Sequence, residues 1–60
     1  MPLFLPIIKN NFAALVAPAV TDDSDIGYSV DSIWMDSTPT PTLVYICTDA
    51  SIGAALWVLV

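Results

Sequence analysis

The chain has no histidine, no arginine and no glutamate, and it holds one cysteine, one lysine and two glycines among 60 residues. Each shortage removes a class of chemistry. Without histidine or glutamate, the residues that most often move protons near neutral pH are missing, and Ser24, Ser29, Ser32, Ser37 and Ser51 have no imidazole to activate them. A single thiol, Cys47, cannot form an internal disulfide, and without histidine it cannot join a zinc site of nitrogen and sulfur ligands. Its natural role is that of a small buried hydrophobe on a strand. No glycine-rich phosphate loop can be drawn from Gly27 and Gly53. The expectation is a protein that is not an enzyme, with no catalytic, metal or cofactor-binding residues.

Positive charge is nearly absent too. Lys9 stands against six aspartates, for a net charge of −5. A phosphate backbone is bound by lysine and arginine that displace counterions, so nucleic acid is not an expected partner. Long apolar runs are also lacking, although the mean hydropathy is +0.78. A spanning helix needs about 20 consecutive apolar residues. Here Pro2, Pro6 and Lys9 interrupt the first run, and Pro18 and the Asp22, Asp23, Asp25 cluster stop the second. The same prolines break the core that a signal peptide requires. Neither membrane insertion nor secretion is expected.

What is present is apolar surface, at 57% of residues, above the 45–50% usual for globular chains. A lone core of this length is marginal because small domains bury too little of their surface. Disulfides and metals are excluded as supplements, so the remaining one is oligomerisation. The apolar excess reads as interface.

Three zones follow one another. Residues 1–20 are an apolar arm punctuated by proline, residues 21–31 an acidic turn region, and residues 32–60 a strand-rich body. Asn11 could cap a short helix over residues 12–17, but under two turns is unstable alone, so an extended arm on a neighbouring subunit is the better reading. Asp22, Asp23 and Asp25 ahead of Gly27 hint at a calcium loop. The alternation of ligands then fails at Ile26, Tyr28 and Val30, and no terminal glutamate follows. The simpler reading has Asp22, Ser24 and Asp25 bonding their own backbone in turns.

In the body, β-branched and aromatic residues gather in short runs between turn formers. Candidate strands cover residues 33–36, 42–48 and 55–59. The middle one is apolar on both faces, with Leu43, Tyr45 and Cys47 on one and Val44 and Ile46 on the other. Three short strands cannot cover both faces of such a strand, so partner chains are implied. The link through Pro39 and Pro41 and the turn at residues 49–53 are short, which predicts antiparallel pairing. The expected fold is mainly β: a small antiparallel three-stranded meander (residues 21–60) with an extended N-terminal arm (residues 1–20), completed by oligomerisation. Phe12, Trp34, Tyr45, Trp57 and Val58 are the expected interface residues, since large aromatics anchor interfaces. Trp34 and Trp57 could instead stack on a sugar.

Two blocks of residues carry a resemblance. The first is Asp22, Asp23, Ser24, then Gly27, Tyr28, Ser29, Val30, Ser32 and Trp34. The second is Val44, Tyr45, Ile46, Cys47, Thr48, Asp49, Ala50, then Gly53, Ala54, Ala55 and Trp57. Together they resemble a short module that recurs in virion structural proteins of tailed bacteriophages, among them capsid decoration or cement proteins, head fibres and tail fibres. Two departures stand out. Asp31 occupies a position where the module has glycine, which implies another turn type or a left-handed aspartate, and residues 37–43 carry prolines in place of an Asn- and Thr-rich turn. Residues 1–11 lie outside the resemblance.

The resemblance implies a β-rich module that trimerises and has no chemistry of its own. Sixty residues starting at methionine leave no room for a fibre shaft and tip, so a decoration protein on the capsid exterior, made in the host cytoplasm, is the first expectation. Its partners would be copies of itself, expected as a homotrimer, and the major capsid protein or another virion protein. The alternative is a tail-fibre or head-fibre module that binds a partner or a host glycan.

Overall fold

The seven-residue run from Leu43 to Asp49 is rich in β-branched and aromatic side chains, and it forms the longest strand in a computed structural model that describes residues 8–60. The strands in chain order are β1 (Asn11–Ala14), β2 (Ile33–Asp36), β3 (Leu43–Asp49) and β4 (Leu56–Leu59). They make one four-stranded mixed sheet in the order β1-β2-β3-β4. Among the described residues the only helical element is a single 3-10 turn, Ser24–Ile26. The protein is therefore mainly β.

Strands β2, β3 and β4 fall where the sequence expects them, to within a residue at each end, and both adjacent pairs are antiparallel. Ile33, Trp34, Met35 and Asp36 face Ile46, Tyr45, Val44 and Leu43 in unbroken register. Tyr45, Ile46 and Cys47 face Leu59, Val58 and Trp57, after which the register slips before Asp49. The turn into β4 has the expected chemistry: Asp49 accepts from the amide and hydroxyl of Ser51 at 2.9 and 2.6 Å, and Gly53 takes φ 71°.

The three-stranded expectation is corrected by β1. Asn11–Ala14, part of the expected arm, pairs with β2 in parallel as the fourth strand. Polar groups fix both of its ends. Asn10 Oδ1 accepts the Ile33 amide at 2.8 Å, and the Ala14 carbonyl accepts the amide and hydroxyl of Ser37. Residues 1–7 of the expected arm lie outside the described residues.

A parallel neighbour requires a crossover, and residues 15–32 supply it. They pass over one face of the sheet, tied down as they go. The Trp34 indole donates to the Val16 carbonyl at 2.8 Å, the Ala55 amide to Val20 at 3.1 Å, and the Trp57 indole to Asp22 at 3.0 Å. The Ser24 amide donates to Ala50 at 3.0 Å. At the end of the crossover Asp31 takes φ 76°, the left-handed conformation that aspartate tolerates better than most residues. There the Asp31 amide donates to the Cys47 carbonyl and the Cys47 amide to Ser32, which continues the contact with β3.

Candidate functional site

The two faces of the sheet are unlike. Residues opposite one another in an antiparallel pair share a face, so Trp34, Tyr45, Cys47 and Trp57 point together toward the crossover. Tyr28 descends from the crossover onto them. Its ring lies 5.8 Å from Trp34 and 5.3 Å from Trp57, edge-on to the latter, while the two indoles are 5.6 Å apart. Ala14, Tyr28 and Trp34 form the buried core, with Tyr45 and Trp57 half-buried against it. Lys9 closes the edge, its ammonium 4.6 Å from the Tyr28 centroid and bonded to the Ile26 carbonyl at 2.9 Å.

Polar groups on this side are committed to holding the loops. Asp23, which is buried, accepts from the Asp25 amide at 2.9 Å and the Gly53 amide at 2.7 Å, so it clamps the turn before β4 onto the crossover. Asp22 accepts from the Ala19 amide at 2.7 Å. The acidic cluster thus bonds backbone, as expected, but through Asp22 and Asp23. The Ser24 and Asp25 contacts run through their own amides. Asp36, also buried, accepts the amide and hydroxyl of Thr38. Among the described residues every buried side-chain nitrogen and oxygen has a partner.

Titration follows the same pattern. Burial raises the Tyr28 phenol above its ordinary pKa, with help from the negative charge of Asp22 and a partial offset from a hydrogen bond with Asn11. Burial likewise raises the fully buried Cys47 thiol, which donates to the Asp49 carbonyl at 3.3 Å. A thiol held protonated in this way is a poor nucleophile. The two hydrogen bonds from Ser51 lower the pKa of the half-buried Asp49 carboxyl. Among the described residues there is no cleft, no cluster of three potential metal ligands, and no helix long and apolar enough to cross a membrane.

Exposed apolar side chains occur in the crossover, at Leu15, Val16, Val20, Ile26 and Val30, and they also form a row on the opposite face of the sheet. Alternation turns Ile33 and Met35 of β2 away from the core, together with their register partners Ile46 and Val44 of β3. These four are only half-buried. Val58, paired with Ile46, continues the row onto β4 at 52% exposure, and Leu56 follows at 57%. On β1, Asn11 pairs with Trp34 on the core side, so the next residue, Phe12, points outward at 59% exposure. The row formed by Phe12, Ile33, Met35, Val44, Ile46 and Val58 carries no charge. The row from Phe12 to Val58 crosses all four strands, and among the described residues nothing covers it.

Of the expected interface residues, Phe12 and Val58 therefore lie on the uncovered face. Tyr45 and Trp57 lie on the covered one, and Trp34 at 5% exposure belongs to the chain's own core. Composition marks large aromatics as anchors but does not give the side they face, and the tryptophans are retained inside by indole bonds to the crossover. Ile33 and Met35, absent from the expected interface, come into view through register with Ile46 and Val44, the face of β3 that the sequence already marks as needing a partner. Alternation along β3 already separates Val44 and Ile46 from Tyr45. Comparison with family models, curated proteins and solved structures finds no match to the chain.

Proposed function

We propose that the chain is a non-catalytic structural subunit of a tailed-bacteriophage virion, a capsid decoration or cement protein that trimerises and stabilises the head shell. The observation that carries this reading is the uncharged apolar face spanning four strands in a sheet whose other face is already packed. A surface of that kind is characteristic of an interaction site. It supports a subunit completed by assembly, and the resemblance of residues 22–57 to the phage module supports the virion as the setting. In this reading the antiparallel β2–β3–β4 segment is the assembly module. Residues 1–20 act as the arm that grips the capsid or a neighbour, with Asn11–Ala14 anchoring it to the sheet edge.

The commitment of the polar side chains to loop contacts, and the inert thiol, support a role without catalysis, cofactor or metal. The net charge of −5 argues against nucleic acid and for a basic docking surface on the shell protein. Synthesis in the host cytoplasm and residence on the capsid exterior complete the reading. A fibre module that grips a glycan would present its indoles to solvent. Trp34 is buried and both indole N–H groups are already engaged, which favours decoration. The test is cosedimentation with phage heads assembled without this chain. Saturable binding that raises the temperature at which the heads rupture is expected, and heads that neither bind the chain nor gain stability would overturn the proposal.

A further inference from the structure

We infer that the uncovered sheet face is the seam between copies of this chain, like face packed on like face, and that contact with the shell is made elsewhere. The inference rests on the assembly reading above and assigns the occupant of the face. Charge is the first argument. Each copy carries −5, so copies that meet through their loops bring carboxylates together at a cost. Phe12, Ile33, Met35, Val44, Ile46 and Val58 on this face carry none: Asp36 alternates to the core side with Trp34, Asp22, Asp23, Asp25 and Asp31 lie in the crossover, and Asp49 lies past the register slip at the end of β3, beyond the central row. Copies therefore meet here without opposing charges, and the acidic loops point away from the seam.

Dimensions supply the second argument. Four strands at ~4.8 Å spacing make a face about 14–19 Å across, and packed sheets stand ~10 Å apart. Three such faces closed around a three-fold axis each lie about 4–6 Å from it. That is close to half the separation of packed sheets, so one layer of side chains from each copy fills the interior. Branched Ile33, Val44 and Ile46, with flexible Met35 as gap filler, suit that layer. Phe12 and Val58 sit at opposite margins, so each Phe12 edge of one copy meets the Val58 edge of the next around the ring.

The test uses the full chain. Light scattering over a range of concentrations is measured for the wild type, for Val58→Asp and Phe12→Asp at the two margins, and for Ile52→Asp, an exposed residue of the turn before β4 and so off the face. The mass of a trimer is expected for the wild type and Ile52→Asp. A charge buried without a partner raises the half-assembly concentration about 100-fold or more for each margin variant. Near-UV circular dichroism from the Tyr28, Trp34 and Trp57 cluster reports that those variants are still folded. A folded margin variant that assembles like the wild type overturns the seam, as does a wild type that is monomeric and folded throughout. Head binding is scored separately: a trimer dispersed by Val58→Asp that ignores phage heads upholds the seam while removing the decoration reading.

Discussion

The Gly53 amide donates to Asp23 Oδ2 at 2.7 Å across 30 residues of sequence, in the same carboxylate whose other oxygen takes the Asp25 amide. One buried side chain thus joins the 3-10 turn of the crossover to the turn before β4. Asp23→Ala leaves two backbone donors without partners, at about 1–3 kcal/mol each before water relieves part of the loss. Denaturant unfolding at fixed protein concentration should show a loss of about 2–4 kcal/mol. Asp23→Asn, which retains one acceptor oxygen, should lose less than the alanine variant.

The tryptophans separate packing from hydrogen bonding. Trp57→Ala removes a ring that contacts both Tyr28 and Trp34 and should cost about 3–5 kcal/mol. Trp57→Phe keeps an aromatic edge for Tyr28 but frees the Asp22 carbonyl, for about 1–2 kcal/mol. Equal losses in the two variants, measured by thermal unfolding, would show that the indole bond and not the ring holds the crossover.

Backbone handedness gives a contrast within one experiment. Gly53 has φ 71° and open space where a Cβ would stand, so Gly53→Ala should cost only the left-handed penalty of about 1 kcal/mol. Gly27, at φ 103°, would place a Cβ 3.3 Å from Lys9 Cδ. Gly27→Ala should therefore cost more and push Lys9 off the Tyr28 ring. Asp31→Gly should be within about 0.5 kcal/mol of the wild type, since relief at φ 76° is offset by the looser unfolded chain.

Asp49 gives a pH dependence whose sign is fixed. Its carboxyl titrates below the usual range because the charged form accepts two bonds from Ser51. In the unfolded chain it takes up its proton at higher pH than in the folded one, so the stabilisation is complete above the unfolded value and lost as pH falls through the folded one. NMR titration should find the Asp49 midpoint depressed and returned toward ordinary by Ser51→Ala. An unchanged midpoint in that variant would rule out the serine as its cause.

Cys47 should be silent until the fold opens. Its thiol is fully buried and bonded to the Asp49 carbonyl, so reaction with an aromatic disulfide reagent should follow unfolding and speed up steeply in denaturant. Rapid native-state labelling would show that β3 and β4 separate easily.

The antiparallel strands were legible because their signals are local: alternating β-branched runs, prolines between β2 and β3, and Asp49 with Gly53 at the next turn. The two-faced character of β3 was legible as well. β1 was not, since of Asn11, Phe12, Ala13 and Ala14 only Phe12 favours a strand, and the strand exists through contacts of its ends with Ile33 and Ser37 far along the chain. Nor was the inward aim of the tryptophans. Their indoles are fixed by carbonyls of Val16 and Asp22, and no composition rule places a crossover above them.

The parallel seating of β1 also dictates an order of events as the chain folds. The β2–β3 and β3–β4 hairpins close short loops and can form on the microsecond scale. Pairing of β1 with β2 closes the longer crossover loop, so it carries the larger entropic cost and is expected to come later. Until then Phe12 is not aligned with Val58, and the face that would recognise another copy is unfinished. In the proposed assembly, association would wait until each chain has completed its own fold, which would guard a chain this apolar against pairing prematurely with its neighbours.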